Sequence, residues 1–351
     1  MADLASLWLA LIFVASAVAI WVAGIHLSNA TDALDLRLGL GSALGGLILL
    51  SFATDLPELV ITITAAASGH VGLAVGNLVG GIAIQTVVLA VLDLTVRGDR
   101  PLSFLAGSLV LVLEAVLVLS CVVLGVMTSH LPASANVAGV SPGTVAIVAV
   151  WIGGLLVVRR AQRGLPWTAE APESRPGRSR GDKRGGAPPQ AMERVSTGRA
   201  AAVFTAAAVV TAIAGVLVEE SGSELAGRIG LSGAIFGATV LAAATALPEL
   251  STGLQSVRIG DHQLAFSDIF GGNAVLMAMF VVADLVGGRP ALPQAQDSDL
   301  WMAGLGAVVT AIYAAGIVLR PRTRIARVGP DSLAVLAAYA LGIAGLAIIG
   351  G

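Results

Sequence analysis

Apolar runs of about 20 residues recur along the chain between residues 5 and 350, and each is long enough to cross about 30 Å of hydrocarbon as a helix. Hydrophobic residues make up 56% of the 351 residues and charged residues only 12%, whereas about 25% are charged in a typical globular protein. The runs are continuous instead of alternating polar and apolar residues over about ten positions, which excludes an outer-membrane barrel. The sequence therefore predicts an all-α polytopic membrane protein and excludes a soluble enzyme.

Ten candidate spans can be drawn, five before residue 159 and five after residue 199. They cover residues 5–24, 38–67, 71–95, 103–127, 142–158, 200–218, 230–256, 263–287, 300–319 and 332–350. The first could be a signal peptide, but it is long for one and Asp3 precedes it without any Lys or Arg, so we expect a true span. The segment between the two sets is rich in Arg, Pro and Gly, which is typical of a solvated linker.

We therefore expect three parts in the chain. Residues 1–158 form an N-terminal half of five helices, residues 159–199 a basic linker, and residues 200–351 a C-terminal half of five helices. Ten of the 20 Lys and Arg residues lie in the linker, and the positive-inside rule therefore assigns it to the cytoplasm. Both termini then lie outside the cytoplasm. Of the other ten basic residues, only Arg228 and Arg289 fall outside the cytoplasmic side of this topology. We expect an integral protein of a bacterial inner (plasma) membrane.

An internal repeat appears when the chain is shifted over itself by 191 residues. Residues 39–98 then align with residues 230–289 without a gap. The shift superimposes Thr54-Asp55-Leu56-Pro57-Glu58-Leu59 on Thr245-Ala246-Leu247-Pro248-Glu249-Leu250, Gly80-Gly81 on Gly271-Gly272, and Asp93 on Asp284. Because each half has an odd number of spans, the second copy enters the membrane from the opposite side. The predicted fold is a 5+5 inverted-topology repeat of about ten transmembrane helices, the plan of many secondary transporters.

Each copy of the repeat carries a proline followed by a glutamate, Glu58 or Glu249, in the middle of a hydrophobic span. The proline removes a backbone donor and leaves carbonyls free, and a carboxylate at the bilayer centre costs about 2.5–3.5 kcal/mol on insertion scales. One alternative is a proline kink whose Glu pairs with a buried Arg. However, the membrane-central segments contain no Lys or Arg, so we favour a functional site.

Oxygen atoms predominate in the candidate site. Thr54 and Glu58 are four residues apart, as are Thr245 and Glu249, so hydroxyl and carboxylate share a helix face. Together with the freed carbonyls they provide a cage for a hard cation. Calcium takes about six to eight such oxygens. Two symmetry-related glutamates can neutralise one divalent ion.

These segments resemble the two α-repeats of the calcium/cation antiporter superfamily, which includes the sodium/calcium exchangers. In that family each repeat reads approximately G-T-S-L-P-E, followed by G-N-x-x-G-S-N-x-x-N or a close variant. The matching segments here are Ala53-Thr54-Asp55-Leu56-Pro57-Glu58 with Gly76-Asn77-Leu78-Val79-Gly80-Gly81, and Ala244-Thr245-Ala246-Leu247-Pro248-Glu249 with Ser267-Asp268-Ile269-Phe270-Gly271-Gly272-Asn273. The resemblance implies that Glu58 and Glu249 are the principal cation ligands, and that Thr54 and Thr245 are ligands through hydroxyl or carbonyl oxygen.

The departures from this pattern are informative. Four positions where the family has Ser carry other residues here: Asp55, Ala246, Gly81 and Gly272. The last family position, commonly Asn or Asp, is Gln85 in the first repeat and Leu276 in the second. Asp55 lies three residues before Glu58 and restores a third carboxylate, while Asp268 is either an auxiliary ligand or a buried packing residue. Because sodium-type hydroxyls are fewer and close carboxylates can share protons, proton exchange is nearly as strongly indicated as sodium exchange.

The resemblance thus implies a secondary active antiporter that exchanges Ca²⁺ for Na⁺ or H⁺ by alternating access. A divergent member that moves another cation (Na⁺/H⁺ or K⁺), and a non-transporting membrane scaffold, stay open as alternatives. An enzyme is not expected: H-E-x-x-H is absent, and the G-x-S-x-G match at 139–143 opens an apolar helix without a preceding strand. We expect no cofactor and no nucleic acid, with small cations and the lipid bilayer as partners. The oligomeric state stays open.

Three other acidic residues receive separate predictions. Glu114 lies near the centre of the fourth span without an acidic partner in the other repeat, which suggests either a water-filled cavity or a proton relay. Asp93 and Asp284 lie near span ends, so we expect them to be solvated or paired with Arg97 and Arg289.

Overall fold

A computed structural model describes residues 4–38, 50–162, 196–228 and 242–349. All of its regular secondary structure within these ranges is helical, apart from two isolated β-bridges. Most of the basic segment 159–199 lies outside the described residues, and so do the first parts of the two proline-containing spans.

The N-terminal half contains seven described helices. They are α1 (Ser6–Leu38), α2 (Ser51–Thr54), α3 (Leu56–Ala67), α4 (Val71–Thr95), α5 (Leu102–Ala106), α6 (Leu109–Ser129) and α7 (Pro142–Gln162).

The C-terminal half repeats this order, except that the counterpart of α4 is split at Met279 and a short 3₁₀-helix replaces α5. Its described elements are α8 (Thr197–Arg228), α9 (Ala242–Thr245), α10 (Leu247–Ile259), α11 (His262–Ala278), α12 (Phe280–Gly287), the 3₁₀-helix Leu292–Gln294, α13 (Asp297–Leu319) and α14 (Pro330–Ile349).

Eight helical segments of the described chain are long and apolar enough to cross a membrane. The two remaining predicted spans, 38–67 and 230–256, are interrupted where they are described. The first is broken between α2 and α3 and the second between α9 and α10. These interruptions lie at the repeated proline motif, because a proline lacks the N–H that would continue the hydrogen-bond ladder of the preceding turn.

Burial separates a central bundle from peripheral helices. In α4, 78% of the most apolar stretch is buried, and for the joined α11 and α12 the fraction is 72%, against 28% for α1 and for α8. Apolar side chains on the outer helices are exposed, which suits a surface that contacts lipid. The long helices α1 and α8 pack against each other, and they also cross to the opposite repeat, where α1 contacts α10 and α8 contacts α3.

The prediction for Asp93 and Asp284 was wrong, because both side chains are fully buried. Each carboxylate ties its own loop to the last helix of the other half. Asp93 accepts the Leu102 N–H at 2.8 Å and the Gly329 N–H at 2.6 Å. The equivalent bonds of Asp284 come from Ala291 N at 2.7 Å and Ser141 N at 3.0 Å. Backbone donors from the following loop and from a loop of the other half thus satisfy these carboxylates.

Two symmetry-related glycines lie where the peripheral helices cross the broken spans. A Cβ on Gly24 of α1 would lie 3.0 Å from Pro248 Cα, and a Cβ on Gly215 of α8 would lie 2.9 Å from Pro57 Cβ. The same shift of 191 residues relates Gly24 to Gly215 and Pro57 to Pro248. Glycine therefore permits each peripheral helix to approach the proline turn of the opposite repeat closely.

Replacing Gly215 by Ala should lower the midpoint of thermal unfolding of the purified protein in detergent. Overpacking against Pro57 costs about 1–3 kcal/mol. The matched control is Gly227→Ala on the same helix, where a Cβ meets nothing within 4 Å. There the better helix propensity of Ala should leave the midpoint unchanged or raise it. Equal midpoints for the two variants would contradict the close-contact role of Gly215.

Candidate cation site

The site begins at the two helix breaks. Asp55 and Ala246 interrupt the first and second proline-containing spans with the same backbone angles, φ −79° and ψ 7°. Each is followed by a new helix that carries a proline in its first turn and a glutamate, Glu58 or Glu249, in the same turn. The free N–H groups at a helix N-terminus favour negative charge. The local sequence therefore places both glutamates at favourable helix ends inside the bundle.

Three carboxylates meet at these breaks. Asp55, Glu58 and Glu249 each offer an oxygen atom, and these atoms all lie within 4.8 Å of one another. All three residues are at most 1% exposed. The structure therefore brings together the two repeat-related glutamates and the additional aspartate that the sequence singled out.

Some oxygens in this cluster lack a hydrogen-bond donor. Among the described residues, none donates to Asp55 Oδ2 or Glu249 Oε2, whereas the Thr245 side chain interacts with the Glu58 carboxylate. The ion pairs of Arg228 with Glu224 and of Arg324 with Asp93 lie elsewhere. Buried carboxylates without a positive partner are costly, and the alternative of a glutamate paired with a buried arginine has no support in the described chain.

Gln85 of α4 is the polar residue that joins the cluster. Its Nε2 donates to Asp55 Oδ1 at 3.0 Å, and it lies 3.4 Å from Glu249 Oε1. The side chain is fully buried, and its Oε1 accepts no hydrogen bond within the described residues. One amide thus holds carboxylates from both repeats and leaves a further oxygen available.

The two glycines that replace family serines each lie beside other residues that depart from the family pattern. A Cβ on Gly272 would lie 3.2 Å from Asp55 Oδ2 and 3.5 Å from Gln85 Oε1, so the missing side chain leaves room for the polar pair. Across the repeat axis, a Cβ on Gly81 would lie 2.9 Å from Leu276 Cδ1. Polar groups therefore fill one side of the site and a leucine the other.

The predicted threonines and Asp268 occupy different positions. Thr54 and Thr245 are buried directly before the helix breaks, and the Thr54 hydroxyl donates to Ser51 O at 3.1 Å. Asp268 is also buried but is not part of the three-carboxylate cluster. Its Oδ2 accepts from Thr252, and its backbone carbonyl accepts from Ser51 at 3.2 Å.

Two asparagines act as supports that the sequence reasoning did not assign. Asn77 donates from Nδ2 to Glu58 O at 3.0 Å and to Thr62 Oγ1 at 3.2 Å, so it fixes the turn that carries Glu58. Asn273 donates to Thr86 Oγ1 at 2.9 Å. Both belong to the glycine-rich segments, so their position in the motif was the available signal.

Glu114 lies outside the cluster. It is 3% exposed, and its Oε2 accepts from the Ser267 hydroxyl at 2.8 Å. The carboxylate adjoins a cavity of about 10 Å³, which is close to the space of a single water molecule.

The arrangement is chemically suited to a hard cation. Three carboxylates supply up to six oxygens and the Gln85 amide a seventh, within the range that calcium uses. A positive ion would also relieve the mutual repulsion of the acidic groups. Because the carboxylate cluster takes residues from both halves, it lies at the interface of the two repeats, where transporters of this architecture bind substrate.

Comparisons with known proteins concern the chain as a whole. The family model described as sodium/calcium exchanger protein matches residues 8–158 and 199–347. A structure of the sodium-calcium exchanger NCX_Mj soaked with 10 mM Na⁺ and zero Ca²⁺ has a TM-score of 0.64 at 14% identity and covers 97% of this chain and 100% of that chain. Another, soaked with 2.5 mM Na⁺ and 0.1 mM Ca²⁺, has a TM-score of 0.63 at 13% identity and covers 97% and 98%.

The search of curated proteins finds no match. The structural likeness confirms the predicted all-α membrane fold with two repeats, and the family match spans most of both halves. The family consists of cation exchangers, which are transporters and not enzymes. The chain belongs to the sodium/calcium exchanger protein family.

Proposed function

We propose that this protein is a secondary active antiporter that exchanges Ca²⁺ for Na⁺ or H⁺ at the carboxylate site. The observation that carries the proposal is the cluster of Asp55, Glu58 and Glu249, with oxygens within 4.8 Å of one another and no basic partner among the described residues. Three carboxylates together exceed the charge of one divalent ion, so a calcium ion and a proton can share the site. The site then needs no cofactor.

Two features of the site bear on the counter-ion. Family serines are replaced by Asp55, Ala246, Gly81 and Gly272, so hydroxyl oxygens suited to sodium are fewer. Closely spaced carboxylates titrate as a coupled group and can release protons when a cation binds. This supports H⁺ as the counter-ion, whereas backbone carbonyls at the two helix breaks support Na⁺. Glu58, Glu249, Asp55 and Gln85 are the proposed ligands, with Thr54 and Thr245 beside them.

Alternating access is proposed to occur by movement of α1 and α8 against the central bundle. These two helices pack together and are less buried than α4 and α11. They cross the proline turns that carry the glutamates. Their displacement would therefore change access to the site from opposite membrane faces, as expected for an inverted repeat. In the proposed topology, the linker is cytoplasmic and both termini are extracytoplasmic.

Calcium-45 uptake into proteoliposomes tests this function. The purified protein is given an outward sodium gradient in one experiment and an outward proton gradient in another, each as the only driving force. Uptake that requires one gradient, and that exceeds uptake by protein-free vesicles, identifies the counter-ion. No uptake under either gradient would reject calcium antiport and favour transport of another cation or a non-transporting role.

A further inference from the structure

A second charged site lies at one face of the central bundle, away from the carboxylates. There the loop between α4 and α5 meets the loop between α13 and α14 around a cavity of about 820 Å³. Four arginines line the cavity, Arg97, Arg322, Arg324 and Arg327, with Asp99 as the one acidic residue of the lining. The topology assigns this face to the cytoplasm.

Arg324 holds the two loops together. Its guanidinium donates to Val96 O and Gly98 O at 3.0 Å each and to Asp93 O at 2.6 Å. It also donates to Arg327 O in its own loop. The cavity wall therefore joins the two halves through defined hydrogen bonds.

Further positive charge lies beside this wall. Arg100 donates to Arg322 O at 3.2 Å, and the guanidinium groups of Arg100 and Arg320 each lie 4.8 Å from the centre of the Phe104 ring. Like charges held this close repel one another. Asp93 pairs with Arg324 at 3.9 Å and Asp99 lies on the lining, so these two carboxylates are outnumbered by the arginines and offset only part of the repulsion. An anion of more than one charge would offset the rest.

The opposite face provides an internal comparison. There Val137 and Val140 close the same bridged turn that Ile325 and Val328 close beside the arginine cavity. The residue directly after each turn donates its backbone N–H to a buried aspartate. Ser141 donates to Asp284, and Gly329 donates to Asp93, which the repeat relates to Asp284. The two turns are therefore equivalent elements of the two halves.

The two turns differ at their third position. It is Gly139 at the opposite face, with φ +84°, but Arg327 here, with φ +72°. Glycine adopts this left-handed conformation freely, whereas a side chain is disfavoured there. A Cβ on Gly139 would lie 2.8 Å from Gly288 C, so the two loops of that face touch where the arginine face has a cavity.

Charge also differs between the two faces. The loops 130–141 and 288–296 of the opposite face contain one arginine, Arg289, and no acidic residue. Arg327 has a strained backbone conformation in a turn whose counterpart has glycine, and it lines the cavity together with three other arginines. Folding of the turn does not require an arginine at this position. Such strain is typical of functional positions.

We propose that this arginine cavity binds a phosphate-bearing anion. Guanidinium groups form paired hydrogen bonds with phosphate oxygens, and arginine is the residue best suited to this recognition. The volume is within the range of pockets for small molecules and head groups. The phosphate belongs either to an anionic lipid head group at the membrane surface or to a soluble phosphate, and both share this chemistry.

The test compares Arg327→Gly with the wild-type chain and with Arg258→Gln. Glycine suits the φ of the turn, so Arg327→Gly should fold. Arg258 is exposed at the end of α10, on the same predicted face but outside the cavity, and controls for general loss of charge. The affinity of each purified protein is measured for phosphatidylglycerol in nanodiscs with a phosphatidylcholine background, and for inorganic phosphate and pyrophosphate in detergent.

We expect Arg327→Gly to weaken binding about tenfold, the size of one charge-assisted hydrogen-bonded contact, while Arg258→Gln binds like the wild type. Binding of phosphatidylglycerol alone identifies a lipid site, and binding of the soluble anions identifies a free-phosphate site. Equal affinity of Arg327→Gly and wild type, or equal weakening by Arg258→Gln, would overturn the proposal, since attraction would then be a general effect of surface charge. The result does not depend on transport.

Discussion

Glu58→Gln and Glu249→Gln are each expected to abolish calcium uptake into proteoliposomes, with a loss of about 100-fold or more. Gln keeps the shape of the side chain but removes the negative charge and one strong oxygen ligand. Loss of a residue that only supports a metal ligand typically costs 10–100-fold, so loss of a ligand itself should cost at least as much. Initial rates of calcium-45 uptake under the effective driving gradient measure the effect.

Folding must be separated from transport in these variants. Each should elute from size-exclusion chromatography as the wild type does and keep or raise its unfolding midpoint, because removal of a buried charge relieves repulsion within the cluster. Glu220→Gln is the matched control, since Glu220 is exposed on α8. Wild-type uptake by both Glu58→Gln and Glu249→Gln would reject the proposed site.

Asp55→Ser is expected to weaken calcium binding by about 10–100-fold, and a second substitution, Leu276→Asp, should recover much of the loss. Asp55 and Gln85 occupy the space beside Gly272, whereas Leu276 occupies the related space beside Gly81. The double variant therefore moves the third carboxylate to the other side of the repeat axis. It also removes the branched side chain that contacts Gly81. Isothermal titration with calcium measures the affinity.

The control for this exchange is Asp55→Ser with Leu276→Asn, which supplies a polar side chain of the same shape without charge. If the site requires the third negative charge, only the aspartate version should recover affinity. Wild-type affinity in Asp55→Ser, or equal recovery by Asn and Asp, would show that the third carboxylate is not a ligand. The magnitude is taken from the usual cost of altering groups around a bound metal.

Prediction from sequence succeeded where local pattern carries the information. The apolar runs predict the helices, since a segment must satisfy its own backbone hydrogen bonds in lipid. Proline at a repeated position predicts the two helix breaks, and Asp55 is close to Glu58 because three residues separate them on one turn. The inverted repeat predicts that Glu58 and Glu249 meet, because related segments of an inverted pair face each other at the midplane.

Prediction failed where a residue's surroundings come from distant parts of the chain. Asp93 and Asp284 have the local signature of solvated carboxylates, but N–H groups from loops of the other half bury them. The same limit applies to Asn77, whose amide supports Glu58 from the neighbouring helix. Hydropathy along one span contains no information about donors that a different loop supplies.

The sequence by itself determined the helical membrane fold, its inverted repeat and the two central glutamates, because the period, length and composition of each span are local properties. Tertiary structure decided which groups surround those glutamates. Gly272 provides room for Asp55 and Gln85, Leu276 fills the space beside Gly81, and the arginines of two separate loops line a single cavity. These relations depend on contacts between residues far apart in the chain, and such contacts are established only when the two halves pack together.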